Sequence, residues 1–348
     1  MNCISEYITY YYNYYCVPKK SKIAVYSNKK NNVSKIEIDK TYDLIFSNKN
    51  NSSQQLNIVL YEIYNYGVSI DNKKKSSIFL FNNQVYKITL ARNIKNYINI
   101  INTIRNYKIQ NTLIPDMIYF NKYQYEIVQI YKYYEDGDLF DYFTENILTN
   151  TQIINIFTQI ITIVNNLHNI GLVHLDLKLE NFLIEKKKLD LIQDIDKSNY
   201  NSVDNYSKSN NRNNSNIYDL KLYLIDFDFT HINNNINFYG GTEQYASYEI
   251  RNRIIIKDWC CCDIWSCCII LYILLFREFP WQSCDSDEIT FMKYINNYTT
   301  KYWYNKLSYL DIEEKYKIAY SKIFNYGFNL NSNERCDISI ISDILENI

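Results

Sequence analysis

Two changes of texture along the chain predict an α+β protein of two lobes, a β-rich first part and a helical second part. From about Leu56 the sequence runs in short apolar stretches rich in β-branched and aromatic residues. From Leu139 onward the apolar residues recur with mostly helical spacing. A third feature, the polar tract at 193–217, is rich in Asn and Ser and reads as a disordered surface insert within the helical part.

The elements follow in order. Residues 1–54 are rich in Tyr and Asn, with loops expected at Lys29-Lys30-Asn31-Asn32 and at 48–53, and they form an N-terminal extension to which no role is assigned. Strands are expected at Ile58-Val59-Leu60-Tyr61, Ser77-Ile78-Phe79-Leu80-Phe81, Val85-Tyr86-Lys87-Ile88 and Tyr125-Glu126-Ile127-Val128-Gln129-Ile130, with one helix at 92–108 among them. Amphipathic or apolar helices are expected at 151–168 and 263–276. There is no internal repeat. The boundaries drawn are an extension at 1–54 and a domain at 55–348, with an N-lobe at 55–131 and a C-lobe at 135–348.

Composition narrows the function classes. The chain has 348 residues, 37 Lys+Arg against 38 Asp+Glu, and a net charge of −1, so bulk charge gives no reason to expect nucleic acid or an anionic membrane as partner. At 47% hydrophobic residues it can bury a sizeable core. Asn, Ile, Lys and Tyr are overused everywhere, linkers included, while Gly numbers only 6 and Pro 3. That pattern reads as codon bias, and it implies that motifs usually written with glycine are written here with substitutes. Of nine cysteines, five crowd into residues 260–268 with no His nearby. Adjacent cysteines in an apolar run cannot all reach one tetrahedral metal, so they are read as buried reduced thiols in a reducing compartment. The N-terminus lacks a secretory pattern, Asn2 excludes N-myristoylation, and the longest apolar run, 269–276, is too short to span a bilayer. The expectation is a soluble cytoplasmic protein.

The chemistry concentrates in His174-Leu175-Asp176-Leu177-Lys178-Leu179-Glu180-Asn181. Asp176, Lys178 and Asn181 stand at fixed offsets after an amphipathic helix and before a β run. They offer a carboxylate to accept a hydroxyl proton, a cation for phosphate and an amide for a metal, the equipment of phosphoryl transfer. Further on, Leu222-Tyr223-Leu224-Ile225-Asp226-Phe227-Asp228 puts a carboxylate at the end of an apolar strand, placed to hold Mg²⁺. Then come Gly241-Thr242-Glu243-Gln244-Tyr245-Ala246-Ser247-Tyr248-Glu249 and Asp263-Ile264-Trp265-Ser266. In this order and spacing the four segments resemble the eukaryotic protein kinase family, whose motifs read His-Arg-Asp-Leu-Lys-x-x-Asn, Asp-Phe-Gly, Gly-Thr-x-x-Tyr-x-Ala-Pro-Glu and Asp-x-Trp-Ser-x-Gly. The resemblance covers roughly residues 56–348 and implies the bilobal protein kinase fold.

The resemblance also implies roles. Asp176 would be the catalytic base, Lys178 would steady the transferred phosphate, and Asn181 and Asp226 would hold Mg²⁺. Lys87 would pair with the α- and β-phosphates of ATP, with Gly67 as the remnant of a Gly-rich loop. Tyr131 would be the gatekeeper, Lys132, Tyr133 and Tyr134 would offer hinge backbone to adenine, Asp138 would sit near the ribose, and Val85 and Leu183 would sandwich the ring. Thr242 would lie near Asp176 and Glu180 would meet the substrate. His174, Glu249, Asp263 and Arg335 would be structural, with Glu249 paired to Arg335 and Asp263 anchoring the catalytic loop. Implied substrates are proteins with Ser or Thr acceptors. The stretches 177–181 and 263–272 look most like the calcium/calmodulin-dependent group, although nothing resembles a calcium-binding loop. Asp138 and Glu180 suggest a preference for an upstream Arg.

Four departures stand against the pattern. The Gly-rich loop is reduced to Gly67, 20 residues before Lys87. No Asp or Glu occurs between Asp71 and Asp116, so the helix at 92–108 lacks the carboxylate that normally holds the active-site lysine. Asn99 or Asn102 falls near its expected place, and Lys87 is then held less firmly or partnered from elsewhere, for instance by Asp226. Asp228 replaces a glycine and is read as tolerating unusual backbone geometry, with its extra carboxylate able to adjust metal affinity. Leu175 replaces an arginine that reads loop phosphates, and Phe238 stands where the phosphoacceptor usually lies, so activity independent of loop phosphorylation is expected. The competing readings are a pseudokinase acting as a nucleotide-binding scaffold and a small-molecule kinase of similar fold.

Overall fold

The computed structural model describes residues 43–47, 68–73, 76–90, 93–121, 125–188, 218–233, 236, 240–335 and 337–348. The tract expected to be disordered, 193–217, lies outside them, as do Gly67, Phe238 and nearly all of the N-terminal extension.

Among the described residues the first lobe is a six-stranded antiparallel sheet with one helix. Strands β1 (Asp43–Ser47), β2 (Val68–Lys73), β3 (Ser76–Phe81) and β4 (Gln84–Leu90) precede helix α1 (Ile94–Tyr107), and β5 (Met117–Asn121) and β6 (Glu126–Lys132) follow it. Their spatial order is β1-β5-β6-β4-β3-β2. Strand β1 comes from before residue 55 and pairs with β5 at the sheet edge. The β3–β4 turn places Asn82 and Asn83 at φ 48° and 59°, the left-handed pair that a two-residue hairpin needs and that Asn tolerates. Alternation along β4 and β6 buries Tyr86, Ile88, Val128 and Ile130 with Tyr119 in a small cluster of their own.

Helix α1 begins where the Asn93 side chain accepts from the Asn96 amide at 3.1 Å and ends at Lys108, which is left-handed. Its buried residues, Tyr97, Ile100, Ile101 and Ile104, follow helical spacing. They join the large core of the second lobe rather than the small cluster of the sheet. Continuity between the lobes also runs through backbone: Leu113 N donates to Leu224 O and Leu224 N to Asn111 O, both at 2.9 Å.

The second lobe contains α2 (Leu139–Glu145), α3 (Asn150–Asn169), the short β7 (Leu172–Val173), the hairpin β8 (Phe182–Lys188) and β9 (Tyr218–Leu224), and β10 (His231–Ile232), which pairs with β7. Helices α4 (Tyr248–Asn252), α5 (Cys260–Phe276), α6 (Ile289–Asn297), α7 (Tyr302–Leu307), α8 (Glu314–Gly327) and α9 (Ile338–Glu346) complete it. Helix α3 opens with a reciprocal capping box between Thr149 and Gln152. Helix α5 is apolar all round and is the lobe's central rod. Its cysteines act as small hydrophobes: Cys261, Cys262, Cys267 and Cys268 are buried, and no disulfide joins the six described cysteines. Helix α8 crosses so closely that a Cβ on Gly327 would lie 2.1 Å from Cys268 Sγ. Among the described residues no helix is long and apolar enough to cross a membrane.

Candidate active site

The segment between β7 and β8 carries the residues expected to do acid–base work, and its conformation is imposed from α5. Leu175 sits at φ 61°, a left-handed geometry that costs a branched residue about 1–3 kcal/mol. The buried carboxylate of Asp263 holds it there. Oδ1 accepts from Leu175 N at 2.8 Å, while Oδ2 accepts from His174 N at 2.8 Å and lies 2.9 Å from His168 Nε2. His174 is fully buried: Asp176 N donates to its Nδ1 at 3.3 Å, and its Nε2 meets Ile225 O at 3.2 Å. With both ring nitrogens engaged, His174 locks the loop against the segment leading to Asp226 and is not presented as a base.

Three side chains converge on the Asp176 carboxylate. Lys178 Nζ donates to Oδ2 at 2.9 Å and to Thr242 Oγ1 at 2.9 Å. Thr242 donates to Oδ1 from both its backbone N and its hydroxyl, at 2.8 and 2.7 Å. Asn181 Nδ2 donates to the Asp176 carbonyl at 2.7 Å and approaches Oδ2 at 3.4 Å. Gly241 permits the close approach of the Thr242 segment: at φ +105° a Cβ there would meet Leu175 O at 2.7 Å. Burial opposes the charge on Lys178, but Asp176 outweighs it and raises its pKa. Glu180 is raised by burial, and its Oε2 is buried without a hydrogen-bond partner.

The turn after β9 carries the metal-type oxygens. Asp226 is left-handed at φ 66° and caps a 3₁₀ turn, Phe227–Phe229. Phe227 is buried edge-on to His174, with ring centroids 5.5 Å apart. The unusual backbone geometry expected of Asp228 falls on Asp226 instead. Asp228 is absent from the left-handed positions because it lies inside the 3₁₀ turn. The donor set fits a hard cation: Asn181 is oriented through its Nδ2, which leaves the Oδ1 end for a ligand, and Asp226 adds carboxylate oxygen.

Lys87, on β4, sits between two carboxylates of that turn. Its Nζ lies 2.8 Å from Asp226 Oδ1 and 2.7 Å from Asp228 Oδ2. Burial works against the ammonium, yet the two carboxylates outweigh it and lift the Lys87 pKa above its ordinary value. The same pairing pulls Asp226 below the usual carboxylate range against its burial, whereas Asp228 is raised by burial with Asp226 adding to it. Lys87 pairs across the sheet with Gln129 on β6. The two residues share a face, and the fully buried Gln129 donates from Nε2 to Asp228 Oδ1 at 3.3 Å. Tyr131, two residues on, hydrogen-bonds through its hydroxyl to Gln129 Oε1.

Helix α1 presents neither asparagine to this group. Asn99 is exposed and Asn102 half-buried, and neither is hydrogen-bonded to Lys87. The residue turned inward is Tyr97, buried beside Tyr131 and within electrostatic reach of Asp228 and Asp226; burial first, then these neighbours, raise its pKa. Its hydroxyl makes no hydrogen bond of good geometry. Sequence reading missed Tyr97 and Gln129 as members of the site, and it tied the Asp228 carboxylate to the metal rather than to Lys87. For Gln129 a signal existed, since it lies two residues before Tyr131 on one strand and so shares its face.

The remaining expected residues fall around the cleft. Val85 lies opposite Tyr131, and Leu183 forms an isolated β-bridge with Asp138. Asp138 caps α2, its Oδ1 accepting from Asp141 N at 2.9 Å. Lys132 Nζ sits 5.2 Å above the Tyr134 ring, and Tyr133 N donates to Asn83 O at 3.4 Å. Gly67 lies outside the described residues; β2 starts immediately after it, and the β2–β3 register runs from Val68↔Leu80 to Lys73↔Ser76. Glu249 and Arg335 form a buried bidentate pair at 2.7 and 3.2 Å, and the guanidinium also donates to Cys261 O and Asn329 O.

Comparison with known proteins identifies the family. The model of the protein kinase domain matches residues 69–345. Calcium-dependent protein kinase 4 of Plasmodium berghei is 26% identical over 210 residues, 59% of this chain and 33% of that protein. CDPK-related kinase 3 of Arabidopsis thaliana is 29% identical over 169 residues, 41% of this chain and 23% of that one. Serine/threonine-protein kinase 1 of Heliothis zea nuclear polyhedrosis virus is 25% identical over 189 residues, 51% and 57% of the two chains. The matched stretch thus spans about a third or less of the first two relatives.

Proposed function

The chain belongs to the protein kinase family, and from that premise we propose that it is an active Ser/Thr kinase transferring the γ-phosphoryl group of Mg·ATP to protein hydroxyls. The observation that carries this reading is Asp176, whose carboxylate accepts hydrogen bonds of 2.7–2.9 Å from Lys178 and Thr242 while Asn181 holds its backbone carbonyl at 2.7 Å.

In this reading the acceptor hydroxyl donates to Asp176, which takes its proton as the oxygen–phosphorus bond forms and the bond to ADP breaks. Lys178 places its charge where the transferred phosphoryl group passes, and the Thr242 hydroxyl orients Asp176 without competing for the proton. Asn181 and Asp226 would hold Mg²⁺, which neutralises charge on the phosphate oxygens. Lys87 reaches the α- and β-phosphates, and Val85 and Leu183 close on the adenine next to Lys132–Tyr134. The unpartnered Oε2 of Glu180, beside Asp138 and Asp176, supports a preference for an arginine upstream of the acceptor.

The test is transfer from Mg·ATP to a mixed Ser/Thr/Tyr peptide pool, with the products sequenced. Wild type should label Ser and Thr peptides enriched in upstream Arg, and Asp176→Asn should lose about 10²–10⁴ in rate, the worth of a positioned base. Mg²⁺-dependent nucleotide binding without transfer would instead establish the scaffold reading. Random labelling with respect to Arg would remove the basophilic part alone.

A further inference from the structure

Every buried ammonium needs a counter-charge, and Lys87 draws its own from the turn after β9. Helix α1 has none to give, because no Asp or Glu occurs between Asp71 and Asp116. Two carboxylates do reach Lys87 Nζ, and both belong to the turn after β9. They are not equivalent. Asp226 is also the oxygen donor of the cation site, and a divalent ion there competes with Lys87 for it. Asp228 faces away from that duty. Its Oδ2 lies 2.7 Å from Lys87 and its Oδ1 accepts from Gln129, so both oxygens are committed to the sheet side of the cleft. Helix α1 meanwhile fills its inward position with Tyr97, an uncharged ring packed into the core.

We propose that Asp228 is the positioning residue for Lys87: the carboxylate that holds the nucleotide-binding lysine is supplied by the turn that follows Asp226, is oriented by Gln129, and replaces one from helix α1, whose place Tyr97 occupies. This rests on the reading of Lys87 as a phosphate ligand. Its consequence is regulatory. A displacement of α1 leaves the lysine paired, whereas a displacement of the 227–229 turn removes metal ligand and lysine partner together. One segment therefore sets the competence of both halves of the nucleotide site.

The test moves the charge back. Mg·ATP affinity is measured by direct titration for wild type, Asp228→Gly, Asp228→Asn and the double variant Asp228→Gly/Tyr97→Glu. Each single variant should weaken binding by about tenfold or more, the loss of a charge-assisted pair. The double variant should return to within about threefold of wild type, beyond the usual error of additivity. Asp228→Asn keeps the side-chain shape and carries the test should the glycine variant fail to fold. Unchanged affinity in Asp228→Asn, or no recovery on adding the carboxylate at position 97, overturns the assignment. Titration needs no turnover, so a wild type that binds nucleotide without transferring phosphate sinks the functional reading and leaves this one under test. If wild type binds no nucleotide, the crystal structure of the double variant decides: Lys87 Nζ on the carboxylate introduced at 97 supports the proposal, and Nζ elsewhere ends it.

Discussion

The catalytic loop and the lysine site lie on opposite walls of one cleft and are built on different terms. On the loop side the sequence pattern and the geometry coincide, since Asp176, Lys178, Asn181 and Thr242 stand at the expected offsets bonded to one another, and Asp263 holds the backbone of His174 and Leu175. On the sheet side Lys87 is retained while its surroundings are rewritten, with Tyr97 and Gln129 in positions for which no role was anticipated and Asp228 bonded to the lysine. The difference follows from what each wall must do. A proton acceptor and its orienting hydroxyl require fixed atoms at fixed distances. A lysine beside phosphate requires only a counter-charge of the right sign within reach, and a carboxylate from any neighbouring element meets that need.

The largest effect expected on the loop side comes from a residue distant from the chemistry. Arg335→Met leaves Glu249 buried without its cation and frees the carbonyls of Cys261 and Asn329, at a cost of about 3–5 kcal/mol. Thermal melting should show a large drop and a loss of transfer that follows unfolding rather than altered nucleotide affinity. A small shift would mean that the helical wall is as tolerant as the sheet wall, and the contrast would fail. The smallest effect is expected at Tyr97. Tyr97→Phe removes a buried hydroxyl that satisfies no hydrogen bond, so stability should stay within about 0.5 kcal/mol of wild type or improve. Mg·ATP affinity should also hold. A clear loss of affinity would make Tyr97 a participant rather than a filler.

These contrasts also explain what could be read in advance. The fold and the loop wall were legible because their signals are local: alternation in β4 and β6, helical spacing in α3 and α5, and a motif whose chemistry lies within eight residues. The Cys-rich stretch was legible as core because five small thiols in an apolar run suit a helix buried all round. The sheet wall was not, because its decisive contact joins residues 141 positions apart. The helix position was misjudged by two to five residues, with Asn99 and Asn102 expected where Tyr97 points inward. Spacing from Lys87 could not anticipate how short the link to Asn93 would be. For Asp228 the sequence suggested an unusual backbone and a carboxylate that adjusts the metal, whereas its backbone lies in a 3₁₀ turn and its carboxylate meets Lys87.

The central claim, that Lys87 is held by Asp228, is tested most directly by a double-mutant cycle between the two positions, read as Mg·ATP affinity. With Lys87 present, Asp228→Asn should weaken binding by about tenfold. In a Lys87→Met background the same change should cost little or nothing, because the carboxylate then has no lysine to hold. An equal loss in both backgrounds would show that Asp228 acts on the nucleotide independently of the lysine and would contradict the account.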